Sequence, residues 1–260
     1  MSGYQERASF YRSEFTVRDD FPLLLGLLTG GEGLVVDIPS GAGRLLPVHR
    51  AHGRGVIMVD IEPAMVEQCR IASVSSGLAE RVRVVRGDIT TWRTPVPAAC
   101  VVVARGGLQM LSSQEAVAQA VTVSSANLAR GGILYFDIAM PWTMTPAAAH
   151  HLAPFLRFTG TMRREGSTCI QAGDMRIRRR YTSTLLPNRV AVHFRYEADG
   201  AATGDWRDFE TDASWCRIDV ASVLATLSNN RLTVISMLGD YAGTPYTTGS
   251  ARLICIAAAL

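Results

Sequence analysis

No apolar run in this chain approaches the roughly 18 to 20 residues that would cross a bilayer, and the amino-terminal stretch MSGYQERASFYRSEF has no apolar core of the kind a secretory signal carries. Both absences predict a cytoplasmic chain with no membrane partner. Cysteine pairing is missing as well. Cys69, Cys100, Cys169, Cys216 and Cys255 stand singly with no CxxC motif, which argues against a disulfide framework and against a zinc site. All five are expected to be reduced, and no metal is expected. Net charge is small: +3 over 260 residues is too weak to mark a nucleic-acid-binding face. Repeats and low-complexity segments are absent. What is there is a chain 48% hydrophobic, long enough to bury a full core as one domain or as one domain carrying an insertion.

Short β-branched runs alternate with helical patterns through the first half, as in a parallel sheet built from crossover units. The runs are GLVVDI, GVIMVDI, RVRVVRGD, ACVVVA and GGILYFDIA, with helices expected from Gly43 to about Ala51, Pro63 to about Ser75 and Ser113 to about Ala129. In the last helix Val117, Ala120, Val121, Ser124 and Leu128 share a face, and ARGG supplies the stop. After about Met140 the pattern turns antiparallel: DMRIRRRYTSTLLPNRVAVHFRYEADG reads as two strands joined at Pro187-Asn188, and DWRDFETDASW as a third. A helix near Asp219 to Ser228 and two strands, RLTVISML and ARLICIAAA, close the chain. The expected fold class is α/β, a doubly wound seven-stranded, mostly parallel sheet with an antiparallel β insertion.

The stretch LVVDIPSGAGRLL runs a strand into a loop with two glycines and then toward a helix, an arrangement in which backbone N–H groups approach a polar or anionic ligand. A dinucleotide fingerprint would place a third glycine where Leu46 stands, so the pattern is DxxxGxG, with Asp37, Gly41 and Gly43. Asp60 ends the second strand, where a carboxylate can accept both hydroxyls of a ribose. Asp88, in Gly87-Asp88-Ile89 after the third strand, is placed to accept from an exocyclic amine, and Ile61 and Ile89 can sandwich a base.

VVDIPSGAGR, VIMVDIEPAMVEQCR, VRGDITTW and LARGGILYFDI together resemble the successive motifs of class I S-adenosylmethionine-dependent methyltransferases, over roughly Leu34 to Ala139. The remainder resembles small-molecule methyltransferases of natural-product pathways, including the amino-sugar N-methyltransferases. The resemblance implies S-adenosylmethionine as cofactor, adds Pro39, Met65 and Gly87 to its contacts, and likens Tyr4 and Tyr11 to tyrosines that close over the methionine end. It implies a helical cap over 1–30, a cofactor core over 31–140, a substrate wall or lid over 141–216 and a completion of the core sheet over 217–260. It is compatible with a homodimer.

Relatives of the amino-sugar type often carry a histidine after the fourth strand, where ARGGLQML has Gln109 and Met110. Gln109 is taken as substrate-binding. The base, if one is needed, falls to His150, His151 or Tyr241, with His193 and Tyr246 further off. Arg105, at the end of the fourth strand, can pair with the cofactor's carboxylate or with an anionic group of the substrate. In MRIRRRYT, alternation sends Arg176, Arg178 and Arg180 to one side. The Pro187-Asn188 turn then sets Arg180 opposite Arg195, Arg178 opposite Glu197 and Arg176 opposite Asp199. Arg180 and Arg195 are candidates for an anionic small-molecule substrate; a salt-bridged, solvated sheet face is the competing reading. Two further functions stay open: a nicotinamide-dependent oxidoreductase, and a cofactor-binding scaffold without catalysis.

Overall fold

The computed structural model describes residues 4–143, 152–158, 161–198 and 206–260. Three short helices, α1 (Tyr4–Arg7), α2 (Tyr11–Glu14) and α3 (Phe21–Leu28), precede β1 (Val35–Asp37), α4 (Leu46–His52), β2 (Val56–Asp60), α5 (Pro63–Ser75), β3 (Val82–Arg86), β4 (Ala98–Val103), α6 (Gln114–Ala126) and β5 (Leu128–Ala139). The antiparallel strands β6 (Arg163–Ala172), β7 (Met175–Leu185), β8 (Arg189–Ala198) and β9 (Phe209–Cys216) come next. Then α7 (Val220–Asn229), β10 (Leu232–Leu238) and β11 (Arg252–Ala259) end the chain.

The main sheet has seven strands in the order β10-β11-β5-β4-β1-β2-β3, with β11 antiparallel to both neighbours. β1 pairs in parallel with both β2 and β4. Chain order therefore reverses at β1/β4, and the crevice outside the carboxyl ends of those strands is where open α/β sheets bind ligands. Both faces are covered. Val36, Ile38, Val101, Leu134 and Phe136 pack with Val117 and Val121 of α6 and Val223 and Leu227 of α7. On the other face Val35, Met58, Val102 and Tyr135 pack with Leu24 and Leu28 of α3, Leu46 of α4 and Cys69 of α5. Burial on both faces is why the strands read as nearly unbroken apolar runs.

The second sheet, β6-β7-β8-β9, is built between β5 and α7. Its hairpin turns at Pro187-Asn188, with Arg180 opposite Arg195 and Arg178 opposite Glu197 as expected. Asp199, the expected partner of Arg176, lies outside the described residues. Two expectations are corrected. Leu128 belongs to β5 and not to α6, because the helix ends at Ala126 with Asn127 as its cap and the strand begins at Leu128, before Gly131. β6 was not read from the sequence. It has glycine at its middle because the Tyr181 ring crosses Gly166, where a Cβ would collide with it, and that glycine breaks the strand pattern.

Candidate active site

The loop after β1 is shaped by its glycines. Gly41 and Gly43 both have positive φ, 54° and 84°, and a Cβ on Gly43 would stand 2.7 Å from Leu46 Cδ1. Asp60 closes this loop onto the end of β2: its Oδ2 accepts the Gly41 N–H at 2.8 Å, and its Oδ1 accepts the Glu62 N–H at 2.9 Å. Burial pushes the Asp60 carboxyl above the usual carboxylate range, against the two N–H donors that hold it down. Ile61 follows directly and is 56% exposed. Ile89 is buried, and Asp88 spends Oδ1 on the Thr90 N–H and hydroxyl at 2.8 and 2.7 Å. A Cβ on Gly87 would lie 2.5 Å from Trp92 Cδ1, so glycine is required there.

Behind the loop Asp37 is buried, and its Oδ2 meets His49 Nε2 at 3.0 Å. The protonation of this chain of groups follows from its far end. The Arg54 N–H donates to His52 Nδ1 at 3.1 Å, so neutral His52 carries its proton on Nε2 and directs it to His49 Nδ1 at 3.0 Å. His49 then donates from Nε2 to Asp37. Asp37 therefore anchors α4 to β1. Burial, reinforced by His49, Arg54 and Arg81, lowers His52 to about 4 from an ordinary 6.5. A group depressed in the folded state costs no stability above its unfolded pKa. Between pH 6.5 and about 4 the unfolded chain takes up the proton first, so stability falls with pH. We expect His52→Gln to flatten the decline of the unfolding midpoint across that window. Parallel curves for the two proteins would refute the assignment.

The amino-terminal segment covers the loop. Tyr4, Tyr11, Ala8, Ala42 and Met65 form one cluster, and a Cβ on Gly41 would be 3.4 Å from Tyr11 Cε1. Tyr4 is pushed up to about 12, mainly by burial, with Arg7 opposing and Asp60 adding. It is a hydroxyl donor at neutral pH and not a base. Pro39 abuts the loop after β4, where a Cβ on Gly107 would be 2.7 Å from its Cδ.

Several expected site residues are committed elsewhere. Gln109 is buried, donates to the carbonyls of Ala139 and Cys216 at 3.0 and 3.2 Å, and accepts the Ala139 N–H at 2.7 Å. Its amide ties β5 to β9, with both Nε2 donors taken by backbone carbonyls. The Arg105 guanidinium pairs with Asp19, and with Asp20 at 3.0 Å, and Arg44 holds the same Asp20 at 2.6 Å. Arg180 and Arg195 share Glu197 at 3.0 and 2.8 Å on the exposed face of the second sheet. With His193 and Glu210 they line an open groove there, and His193 is held by Asp212 at 2.9 Å. The solvated salt-bridged reading of that face is the one the structure supports. Tyr241 is clamped between the guanidiniums of Arg105 and Arg252, at 5.0 and 4.7 Å from its ring centre. Burial raises its phenol well above the ordinary range, which disqualifies it as a base. Tyr246 is half-buried on the loop before β11. His150 and His151 lie outside the described residues.

Residues 35–132 match the family model of the methyltransferase domain. The match spans the glycine loop and the ends of β2 and β3. A comparison with curated protein sequences finds no match. Among solved structures, the chain is similar to the sugar N-methyltransferase KedS8 from Streptoalloteichus, at 16% identity and a TM-score of 0.72, over 96% of this chain and 91% of that one. It is similar to CalS10, an amino pentose methyltransferase from Micromonospora echinaspora, at 19% identity and a TM-score of 0.68, over 96% and 94%. The CcbJ methyltransferase from Streptomyces caelestis superposes with a TM-score of 0.71 at 15% identity, over 93% and 89%. At such identities the likeness establishes the fold. The matched residues run from β1 to the start of β5 and include the whole glycine loop, and the second sheet lies outside them.

Proposed function

We propose that the chain transfers the methyl group of S-adenosylmethionine to a nitrogen of a small-molecule acceptor in secondary metabolism. The observation that carries this reading is Asp60, a buried carboxylate tying the Gly41 N–H to the end of β2 beside the exposed Ile61. The residues fit a nucleoside. An ionised carboxylate has about four acceptor positions and Asp60 uses two on backbone donors, leaving capacity for ribose hydroxyls. Ile61 supplies an apolar wall for a base, and Asp88 is placed for an exocyclic amine. When bound, the cofactor supplies a methyl group activated by its sulfonium. The protein's own work is to align the acceptor and exclude water, which the tyrosines over Gly41 favour. Crystal structures of SAM-bound CalS10, and of the glycopeptide N-methyltransferase MtfA with sinefungin, support the cofactor by likeness of fold.

Nitrogen is favoured over oxygen because a neutral amine is already a nucleophile, whereas a hydroxyl needs a placed base. Among the described residues the loop after β4 offers none, Gln109 being consumed by the backbone. The second sheet serves in this reading as the acceptor's wall. With a labelled methyl donor and amine-bearing sugars, turnover is expected to rise with deprotonation of the acceptor itself. A loss above about 100-fold in His150→Ala or His151→Ala, with cofactor affinity intact, would instead establish base-assisted oxygen methylation.

A further inference from the structure

Phe10 and Tyr11 are consecutive and diverge. Phe10 packs on Tyr196 and Phe209 of the second sheet at 5.6 and 6.3 Å between ring centres, while Tyr11 lies over Gly41. A buried ionic cluster runs beside this junction. Arg7 reaches Glu14 Oε2 through Nε and through its terminal nitrogen, both at 3.0 Å. Glu14 Oε1 accepts from Arg179 and from the Tyr196 hydroxyl, both at 2.6 Å, and the Glu14 side chain is 0% exposed. Arg179 sits on the inner, apolar side of β7, opposite to Arg178 and Arg180, and is itself 4% exposed.

The charges do not balance. Two guanidiniums share one carboxylate, and no other carboxylate among the described residues bonds either of them. Both cations of the cluster are guanidiniums, which cannot be neutralised near neutral pH. Arg179 Nε is buried without a hydrogen-bond partner among the described residues. The rings of Tyr4 and Tyr11, at 5.2 and 5.3 Å from the Arg7 guanidinium, offset part of the burial cost by cation–π attraction. They do not satisfy the orphan donor. A buried excess charge beside an open donor is unfavourable unless an anion completes it.

We propose that the Arg7–Glu14–Arg179 cluster is a carboxylate-binding subsite of the active site, completed by a ligand carboxylate that accepts from Arg179 Nε. Charge selects the class: one carboxylate cancels one excess cation, whereas a phosphate dianion would overshoot. The subsite rests on the methyltransferase reading, since it joins the tyrosines over the glycine loop to the inner face of the second sheet. The carboxylate comes either from the methionine end of the cofactor or from the acceptor.

Three probes separate these sources: S-adenosylhomocysteine; 5′-methylthioadenosine, which keeps the nucleoside and lacks the amino-acid group; and acetate added to the S-adenosylhomocysteine complex. They are titrated into the wild type, Arg179→Gln and Arg163→Gln, the last changing an arginine on the exposed face. If the carboxylate is the cofactor's, Arg179→Gln weakens S-adenosylhomocysteine at least tenfold and 5′-methylthioadenosine less than twofold. If it is the acceptor's, both nucleosides bind unchanged and the rise in melting temperature caused by acetate is lost in Arg179→Gln alone. Equal weakening of both nucleosides, or no change with any probe, overturns the subsite. Should Arg179→Gln not fold, Arg179→Lys, which keeps the charge and gives up the Nε donor, is read by the same outcomes. A wild type that binds neither nucleoside defeats the methyltransferase reading instead, and the acetate response still reports on the subsite.

Discussion

Replacing Asp137 by alanine is expected to lower the stability of the fold by about 3 to 5 kcal/mol. Asp137 is 0% exposed and accepts three hydrogen bonds in one corner of the sheet: from Arg252 at 2.7 Å and the Gly106 N–H at 3.0 Å on Oδ1, and from the Arg105 N–H at 2.6 Å on Oδ2, with Tyr241 stacked on Arg252 above them. Removing the carboxylate strands a buried guanidinium and two buried backbone donors, which is the costly way to break an ion pair. The double variant Asp137→Ala, Arg252→Met removes the stranded charge and should recover much of the loss, because the two changes share one interaction. Urea unfolding of both variants decides the matter. A single-variant loss below about 1 kcal/mol would show that the pair contributes little.

The second large effect concerns ligand affinity and not stability. Asp60→Ala is expected to weaken binding of the cofactor by about 2 to 3 kcal/mol, the scale of losing a charged acceptor of two hydroxyls, or about 30- to 150-fold. The structure adds a reason for an effect at the upper end, because the same carboxylate holds the Gly41 N–H and so fixes the loop against which the nucleoside would lie. The fold itself should survive. Burial already raises the Asp60 carboxyl, so removing it also relieves a desolvation cost that partly compensates for the two freed backbone donors.

Most of the main sheet was legible because its strands are buried on both faces and are punctuated by local chemistry. Ser113 and Asp219 cap α6 and α7 through their side chains, close to where the sequence places the two helix starts. Pairing across the β7–β8 hairpin was legible because a two-residue turn sets the register. β6 was hidden by Gly166, whose reason is the Tyr181 ring on the neighbouring strand, a fact of packing that no local window carries. Side-chain destinations were the least legible. Arg105 and Gln109 stand at the carboxyl end of the sheet, but partners remote in sequence, Asp20 for the one and Ala139 and Cys216 for the other, decide where they point. On β7 the conspicuous feature of the sequence is the row of arginines Arg176, Arg178 and Arg180. The better signal was Arg179, a charge in the row of Ile177 and Tyr181, because a cation on an apolar face must be paired inside. Its partner Glu14 is too distant in sequence for any pattern to join them, as is His49 in its bond to Asp37 across the loop and helix between.

Calorimetric titration of S-adenosylhomocysteine into the wild type and into Asp60→Ala, with a nicotinamide dinucleotide as the rival ligand, tests the central claim most directly. The expected result is one site per wild-type chain for S-adenosylhomocysteine, affinity reduced about 30- to 150-fold in a variant of unchanged melting temperature, and no heat from the dinucleotide. Unchanged affinity in a folded Asp60→Ala, or binding of the dinucleotide in place of S-adenosylhomocysteine, would contradict it.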